Sequence, residues 1–346
     1  MTLRDELPTA GDLAVPSDVI AGIAVFDRQT GGFVQQLNAD LPFRSASVVK
    51  LLIVLDLLWE RGPRYEVDAA DQERLEVMLR SSDDDAASYY WEQRGGSAIV
   101  DRMIDRLGLT HTAGPPVSHP GFWGYVAITA ADTVRIYQYL LDRAPAPVRQ
   151  YVMDLLHRPT RYGTDGFDQY FGIASVFDPD FSIKQGWSGF HGSSGYQSDR
   201  AKPEAVVDLV SDALHTTGTV GVADRSIVSV FTLHPAGTPY GKAYTDVTRL
   251  TRELTVPGAV RTAGSWVLTT GDGVRVRSAP NTSGGILGHL PSGVEVLVSG
   301  QAQGELIDAP PRSSNWWAYL PKYGGYVTNV YIGSGAPKLP GVPVCQ

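Results

Sequence analysis

The sequence predicts an α/β protein of layered build followed by a small all-β barrel, and three observations carry that expectation. Apolar, β-branched runs lie near residues 20–38 and again at 213–221 and 226–235, with a long helical stretch between them. Residues 47–59 place apolar side chains nearly all round a helix, so this helix belongs in a core. After Pro257 the helical period disappears, and residues 265–332 read as short β-runs separated by Gly, Pro and Ser turns.

The elements follow in order. The first run is interrupted by Thr30-Gly31-Gly32, which reads as the turn of an antiparallel hairpin. The buried helix over Ser47–Trp59 comes next, with further helices expected near 71–80, 83–93 and 97–107. Leu107 to Ile128 is rich in Gly, Pro and His, the signature of a long ordered loop. Thr129 is an N-cap for a helix running through Leu141. A strand over Phe181–Gly186 precedes an excursion at 192–212, the two back strands and a last helix from Tyr240 to Leu254. These limits give domains over 1–258 and 265–332, with a Gly/Pro-rich flexible tail over 333–346.

Composition narrows the function classes. Among 346 residues, 29 are Lys or Arg and 37 Asp or Glu; the net charge of -8 argues against nucleic acid as the main partner. One cysteine, Cys345, excludes a disulfide framework and a cysteine-based metal site. No apolar run reaches the roughly 18 residues of a membrane span, so the chain is not expected to be integral to a membrane. The opening MTLRDELPTAGDLAVP has acids and prolines where a secretion signal needs an apolar run. The chain is therefore either cytoplasmic or the trimmed mature form of an envelope or extracellular protein.

The chemistry concentrates in SASVVK at 45–50. Residues three apart on a helix share a face, so Ser47 and Lys50 can touch. A lysine within a buried apolar helix loses solvation, and the helix N-terminal field also opposes its charge. Both effects lower its pKa and suit it to take a proton from a serine. Lysine is scarce, six in all, and Ser47–Lys50 is the only Ser-x-x-Lys in the chain.

Two later stretches extend the pattern: Ser82-Asp83-Asp84, and Lys184-Gln185-Gly186 followed by Trp187. In order, type and spacing the three resemble the S-x-x-K, S-D-N and K-T-G motifs of the penicillin-recognising serine hydrolases, the superfamily of class A β-lactamases and D,D-peptidases. The resemblance covers about residues 15–258. It implies a β-lactamase-like antiparallel sheet flanked by helices, with a helical subdomain, and needs no cofactor or metal. It also implies a small-molecule or peptide substrate, peptidoglycan among the candidates. In its terms Ser47 is the nucleophile, Lys50 its base and Ser82 the proton relay. Asp84, Lys184, Gln185, Gly186 and Trp187 line the substrate, with Lys184 steering a carboxylate and Gly186 leaving room for substrate backbone. The oxyanion hole is the Ser47 N–H with one near Trp187 or Ser188.

Three departures matter. Asp84 stands where the family has Asn, so a donor is lost and a negative charge gained. Gln185 replaces a small hydroxyl residue. From Leu107 to Ala131 there is no Asp or Glu, so the carboxylate that deacylates class A enzymes has no counterpart and β-lactamase activity is disfavoured. His111 or His119 is the alternative base in its place, His191 lies nearer the expected cleft as a site residue, and His215 reads as packing. The aromatic groups Tyr89-Tyr90-Trp91 and Phe122-Trp123-Gly124-Tyr125 read first as core, the second also as a roof for the cleft.

In the C-terminal stretch, Val274-Arg275-Val276-Arg277-Ser278-Ala279-Pro280 and the later WWAYLPKYGGYVTNVYI resemble the bacterial SH3-like domain. Such domains are attached to cell-wall enzymes. The resulting expectation is a serine acyl hydrolase acting on a peptide-like, amide or ester substrate and related to the cell wall. The alternative is a wall-binding protein that keeps the fold without proficient chemistry.

Overall fold

The computed structural model describes residues 13–190, 207–333 and 336–345. The chain folds as two compact units, the first made of 1–238 with 249–260 and the second of 239–248 with 261–346.

In the first unit, β1 (Ile20–Asp27) and β2 (Gly32–Leu37) form the expected hairpin. The two-residue strand β3 (Phe43–Arg44) leads into a 3₁₀ turn over Ala46–Val49 and then α1 (Lys50–Glu60). The helix thus starts at Lys50, three residues later than the apolar period suggests. All of its residues from Lys50 to Leu58 are buried, as its all-round apolar pattern requires. Around it stand α2 (Ala69–Arg80), α3 (Asp84–Gln93) and α4 (Ala98–Leu107), each within two residues of its expected start and end. Asp68 and Asp83 cap α2 and α3 by accepting from backbone N–H groups three residues on.

Residues 108–126 are irregular apart from a 3₁₀ turn at Trp123–Tyr125. After β4 (Ala127–Ile128), paired with β3, Thr129 caps α5 (Ala130–Gln138) as expected, and the helix continues as a π turn to Arg143. One helix of more than a single turn adds to those expected: α6 (Ala146–His157) starts inside Ala-Pro-Ala-Pro. There Pro147 sits in the first turn, where its missing N–H costs nothing. A loop and the single turn α7 (Ile173–Val176) bring the chain to β5 (Phe181–Ile183) and β6 (Gly186–Ser188). Both pair with β7 (Asp212–Val220), which pairs with β8 (Ser226–His234), and β8 closes against β1.

Front hairpin and back strands therefore share one antiparallel sheet, in the order β2-β1-β8-β7-β5 with β6 also on β7. One apolar core joins α1, the helical subdomain and the inner face of the sheet. The last helix, α8 (Tyr240–Glu253), contributes residues to both units.

Among its described residues the second unit is β apart from its share of α8 and a 3₁₀ turn at Asn329–Tyr331. Strands β9 (Ser265–Leu268), β10 (Val274–Arg277), β11 (Ile286–Leu290), β12 (Glu295–Val298), β13 (Gly300–Ala309), β14 (Arg312–Leu320) and β15 (Gly325–Thr328) follow one another. Five make an antiparallel sheet in the order β11-β10-β15-β14-β13, and β9 pairs β12. The end of the chain, expected to be flexible from its composition, lies along β13. Gln301 donates its amide to the carbonyls of Leu339 and Val342, and Leu339 is buried.

Candidate active site

Ser47 occupies the 3₁₀ turn ahead of α1, just after Ala46, whose φ of 43° lies in the left-handed region. A non-glycine residue held there stores strain of about 1–3 kcal/mol, a cost often found where a side chain must be presented at a fixed angle. The turn places the Ser47 hydroxyl 2.8 Å from Lys50 Nζ. Lys50 is fully buried, and its ammonium nitrogen also meets the Ser82 carbonyl at 2.6 Å and the Asp84 carboxylate at 2.7 Å. Ser82, again at positive φ (58°), turns its hydroxyl toward a second buried lysine, with Lys184 Nζ at 2.8 Å. A chain of polar atoms thus runs Ser47–Lys50–Ser82–Lys184.

The electrostatics of this chain are set by burial. Desolvation pushes the Lys50 pKa down, and Asp84 partly opposes it. Lys184 goes well below the ordinary lysine value because of burial and the neighbouring Lys50 charge. Among the described residues no carboxylate contacts it; its ammonium meets Ser82 Oγ and its neighbour's carbonyl. Two buried cations face one contacting carboxylate, and Asp84 is itself about half exposed. Such an arrangement favours loss of a proton from the pair, which is what a base near neutrality needs.

Five of the eight residues expected at the site are brought together by contacts, Ser47, Lys50, Ser82, Asp84 and Lys184, and Trp187 follows on β6. Lys184 and Gln185 lie in the break between β5 and β6, but the pairing with β7 keeps one register through it, from Ile183 opposite Gly218 to Gly186 opposite His215. The Lys184 N–H bonds the Thr217 carbonyl. N–H directions alternate along extended chain, so the Trp187 N–H points away from β7.

The other two residues have different work. Side-chain alternation turns Gln185 away from Lys184, and its amide donates to the carbonyls of Gln169 and Phe171. Gly186 makes room for the protein's own chain rather than for a substrate: a Cβ there would stand 3.0 Å from the Ser45 carbonyl and 3.1 Å from Val48. The bare strand lets the Ser47 turn pack against β6.

Two loops complete the surroundings. In residues 108–126, Trp123 lies with its ring 4.8 Å from Lys50 Nζ and its indole N–H bonded to Ser88. The stretch before it is anchored by the buried Asp132, which accepts from the N–H groups of Thr110 and His111 and from the Thr112 hydroxyl. His111 bonds Thr110, and His119 sits edge-on to Phe122 and Tyr125. His215 is packing, as read: it is buried, bonded to the Arg44 carbonyl and pushed down to about 3 by desolvation. His191 lies outside the described residues.

The second loop, 159–172, is stitched to both walls of the cleft. Thr160 and Thr164 donate their N–H groups to the carbonyls of Arg80 and Ser81, next to Ser82. On the sheet side Asp165 accepts the Trp187 indole N–H at 2.7 Å. Gly163 beneath is bare because a Cβ would stand 2.8 Å from that indole ring.

Trp123 and Asp165 are the neighbours that sequence reasoning did not assign to the site. The aromatic loop signal pointed toward the first, and Asp165-Gly166 reads only as a turn. Among the described residues no group of three His, Cys, Asp or Glu side chains is placed to hold a metal ion, and no helix is long and apolar enough to cross a membrane.

Comparison with known proteins gives the fold and the family. No family model matches the sequence. "Putative lipoprotein LppW" of Mycobacterium tuberculosis, and the protein of the same name in Mycobacterium bovis, are 33% identical over 240 residues, 67% of this chain and 70% of theirs. Among solved structures, a class A β-lactamase from Bacteroides cellulosilyticus superposes with a TM-score of 0.51 at 13% identity, over 70% of this chain and 91% of that one. A mutant of PBP-A, solved as an acyl-enzyme complex with penicillin G, gives 0.50 at 15% identity, over 69% and 90%. These likenesses establish a β-lactamase-like α/β fold, beside the separate C-terminal five-stranded sheet.

Proposed function

The chain belongs to the family of the mycobacterial protein LppW, and from that premise we propose that it is a serine acyl hydrolase of the cell envelope that works through an acyl-enzyme on a peptide-like, amide or ester substrate. The observation that carries this reading is the 2.8 Å contact between the Ser47 hydroxyl and a fully buried Lys50. The envelope location rests on the relative's name, which calls it a lipoprotein.

In this reading neutral Lys50 takes the proton of Ser47 as its oxygen attacks the substrate carbonyl. The oxyanion forms against the N–H groups of Ser47 and Trp187. The proton reaches the leaving group through Ser82, whose hydroxyl lies between the two lysines. Lys184, hydrogen-bonded to the Ser82 hydroxyl, holds that group in place for the transfer. Deacylation by water is slow, because residues 108–126 carry no Asp or Glu and Trp123 packs over Lys50. Efficient β-lactam turnover is accordingly not part of the proposal.

One observation favours a second reading. The Asp84 carboxylate, 2.7 Å from Lys50, supports the ammonium form and weakens the base. A chain whose chemistry has faded would act by binding, with the C-terminal unit, SH3-like in sequence, presenting a groove of about 490 Å³ lined by Arg275, Arg277, Ile307, Trp317 and Tyr331. Incubation with fluorescent penicillin and, separately, with insoluble peptidoglycan divides the two. A label that maps to the Ser47 peptide supports the enzyme; sedimentation with the wall and no label supports the binder.

A further inference from the structure

The loop over 159–172 does more than close the sheet. It is tied to Ser81 through Thr164 N–H and to Trp187 through Asp165, so consecutive residues join the two walls whose tips meet at Ser82 and Lys184. Asp165 therefore stands at that junction. Its carboxylate is exposed, and among the described residues it pairs with no Lys or Arg; its partners are the Trp187 indole and the Phe167 N–H. The one arginine of the loop, Arg161, is held by Asp168 and the Tyr170 ring.

The other groups at the junction point the same way. Asp84 is the sole carboxylate touching Lys50 among the described residues, Asp83 is occupied capping α3, and Lys184 is held against Ser82 by a buried hydrogen bond. The amide of Gln185, where the resembled motif has a hydroxyl, is turned to the carbonyls of Gln169 and Phe171. A substrate carboxylate arriving beside Ser82 would lose a hydroxyl partner and meet two negative groups. A cation would meet a carboxylate already fixed in place by an indole.

We propose that Asp165 is a specificity-determining residue that selects acyl donors with a positively charged group on the leaving side. The assignment to that side rests on the reading above, in which Ser82 passes the proton to the leaving group. The step balances simply. The Ser47 oxygen bonds to the acyl carbon, the bond from that carbon to the leaving atom breaks, and the serine proton ends on the leaving atom through Lys50 and Ser82. Water then releases the acid and restores Ser47.

The test uses three thioesters of one N-acylated amino acid whose thiols end in trimethylammonium, hydroxyl or carboxylate groups. Acylation is followed by thiol release and by mass at Ser47. A unit charge about 6 Å from a carboxylate at an effective dielectric of about 40 changes association by roughly tenfold, so the cationic thioester should exceed the anionic one, two charges apart from it, by roughly 100-fold. In Asp165→Asn the ratio of the two should fall by roughly 100-fold. To separate charge from any disturbance of the Trp187 seat, the wild-type ratio is measured at low and high salt as well, where screening should compress it. An unchanged ratio in Asp165→Asn, a ratio insensitive to salt, or a preference for the anionic thioester overturns the proposal and leaves the serine chemistry standing. Acylation by none of the three, with Ser47→Ala indistinguishable from wild type, overturns the serine reading and this proposal with it.

Discussion

The loop from Gly108 to Val126 and the loop from Pro159 to Gly172 both reach the Ser47–Lys50 region, and they bring opposite chemistry to it. The first has no acidic residue and lays Trp123 over Lys50. The second sets an exposed carboxylate, Asp165, against Trp187. Each is anchored by a buried polar side chain: Asp132 collects the donors of residues 110–112, while the Gln169 amide donates to the carbonyls of Arg80 and Thr160. Similar anchoring with different cargo separates two properties of the proposed acyl-transfer site. An aromatic cover bears on how long an acyl group survives, and a charged rim bears on what comes near enough to react.

Changes at the centre and in each loop sharpen that division. The largest effect belongs to Lys50→Met, which removes the proposed base: acylation of Ser47, followed by intact mass, should slow by about 10³-fold. If it does not, neither loop is serving the proposed chemistry. Trp123→Ala empties a buried aromatic site and should cost about 3–5 kcal/mol in denaturant unfolding. In the fraction that remains folded the acyl group should be lost about tenfold faster, roughly 1.4 kcal/mol off the barrier, as water gains access. An unchanged lifetime would dissociate the apolar loop from deacylation.

Asp84→Asn probes the charge nearer the base. Asp84 raises the Lys50 pKa against the stronger effect of burial, so its removal lowers that pKa further. Acylation in this reading needs neutral Lys50 and rises with pH through that pKa; the rise should therefore move toward acid in a pH–rate profile. A shift toward base would contradict the role assigned to Lys50. The smallest effect is on stability. Lys184 is pushed below its ordinary value near 10.5, so the unfolded chain binds the extra proton and folding is penalised below that value. Wild-type stability should rise with pH from the folded pKa toward 10.5, and Lys184→Met should flatten that rise and be about 1–2 kcal/mol more stable at neutral pH. Urea unfolding at neutral and alkaline pH reads both.

What the sequence disclosed about this site follows the range of the forces involved. Ser47 and Lys50 are readable because three residues on one turn are neighbours whatever surrounds them. Ser82 and Lys184 are readable through motif order. Gln185 and Gly186 differ from their expected roles because those roles depend on the segments that pack against β6 from elsewhere, Gln169 and Phe171 for one and the Ser45 carbonyl for the other. The start of α1 slips to Lys50 because an apolar period does not distinguish a 3₁₀ turn from the helix it leads into. The helix α6 hides behind prolines that mark loops and first helical turns alike. Trp123 and Asp165 come near the lysines only through loops that side chains far along the chain hold in place, Asp132 in one case and Gln169 in the other.

Everything assigned to the two loops depends on Ser47 being a nucleophile with a slow second step. A time course of intact mass after mixing with penicillin G, run on wild type and Ser47→Ala, tests this most directly. The geometry predicts a gain of one penicillin mass that persists for hours in wild type and is absent from Ser47→Ala. A wild-type chain that stays unmodified without consuming penicillin, or an adduct that survives in Ser47→Ala, would contradict it.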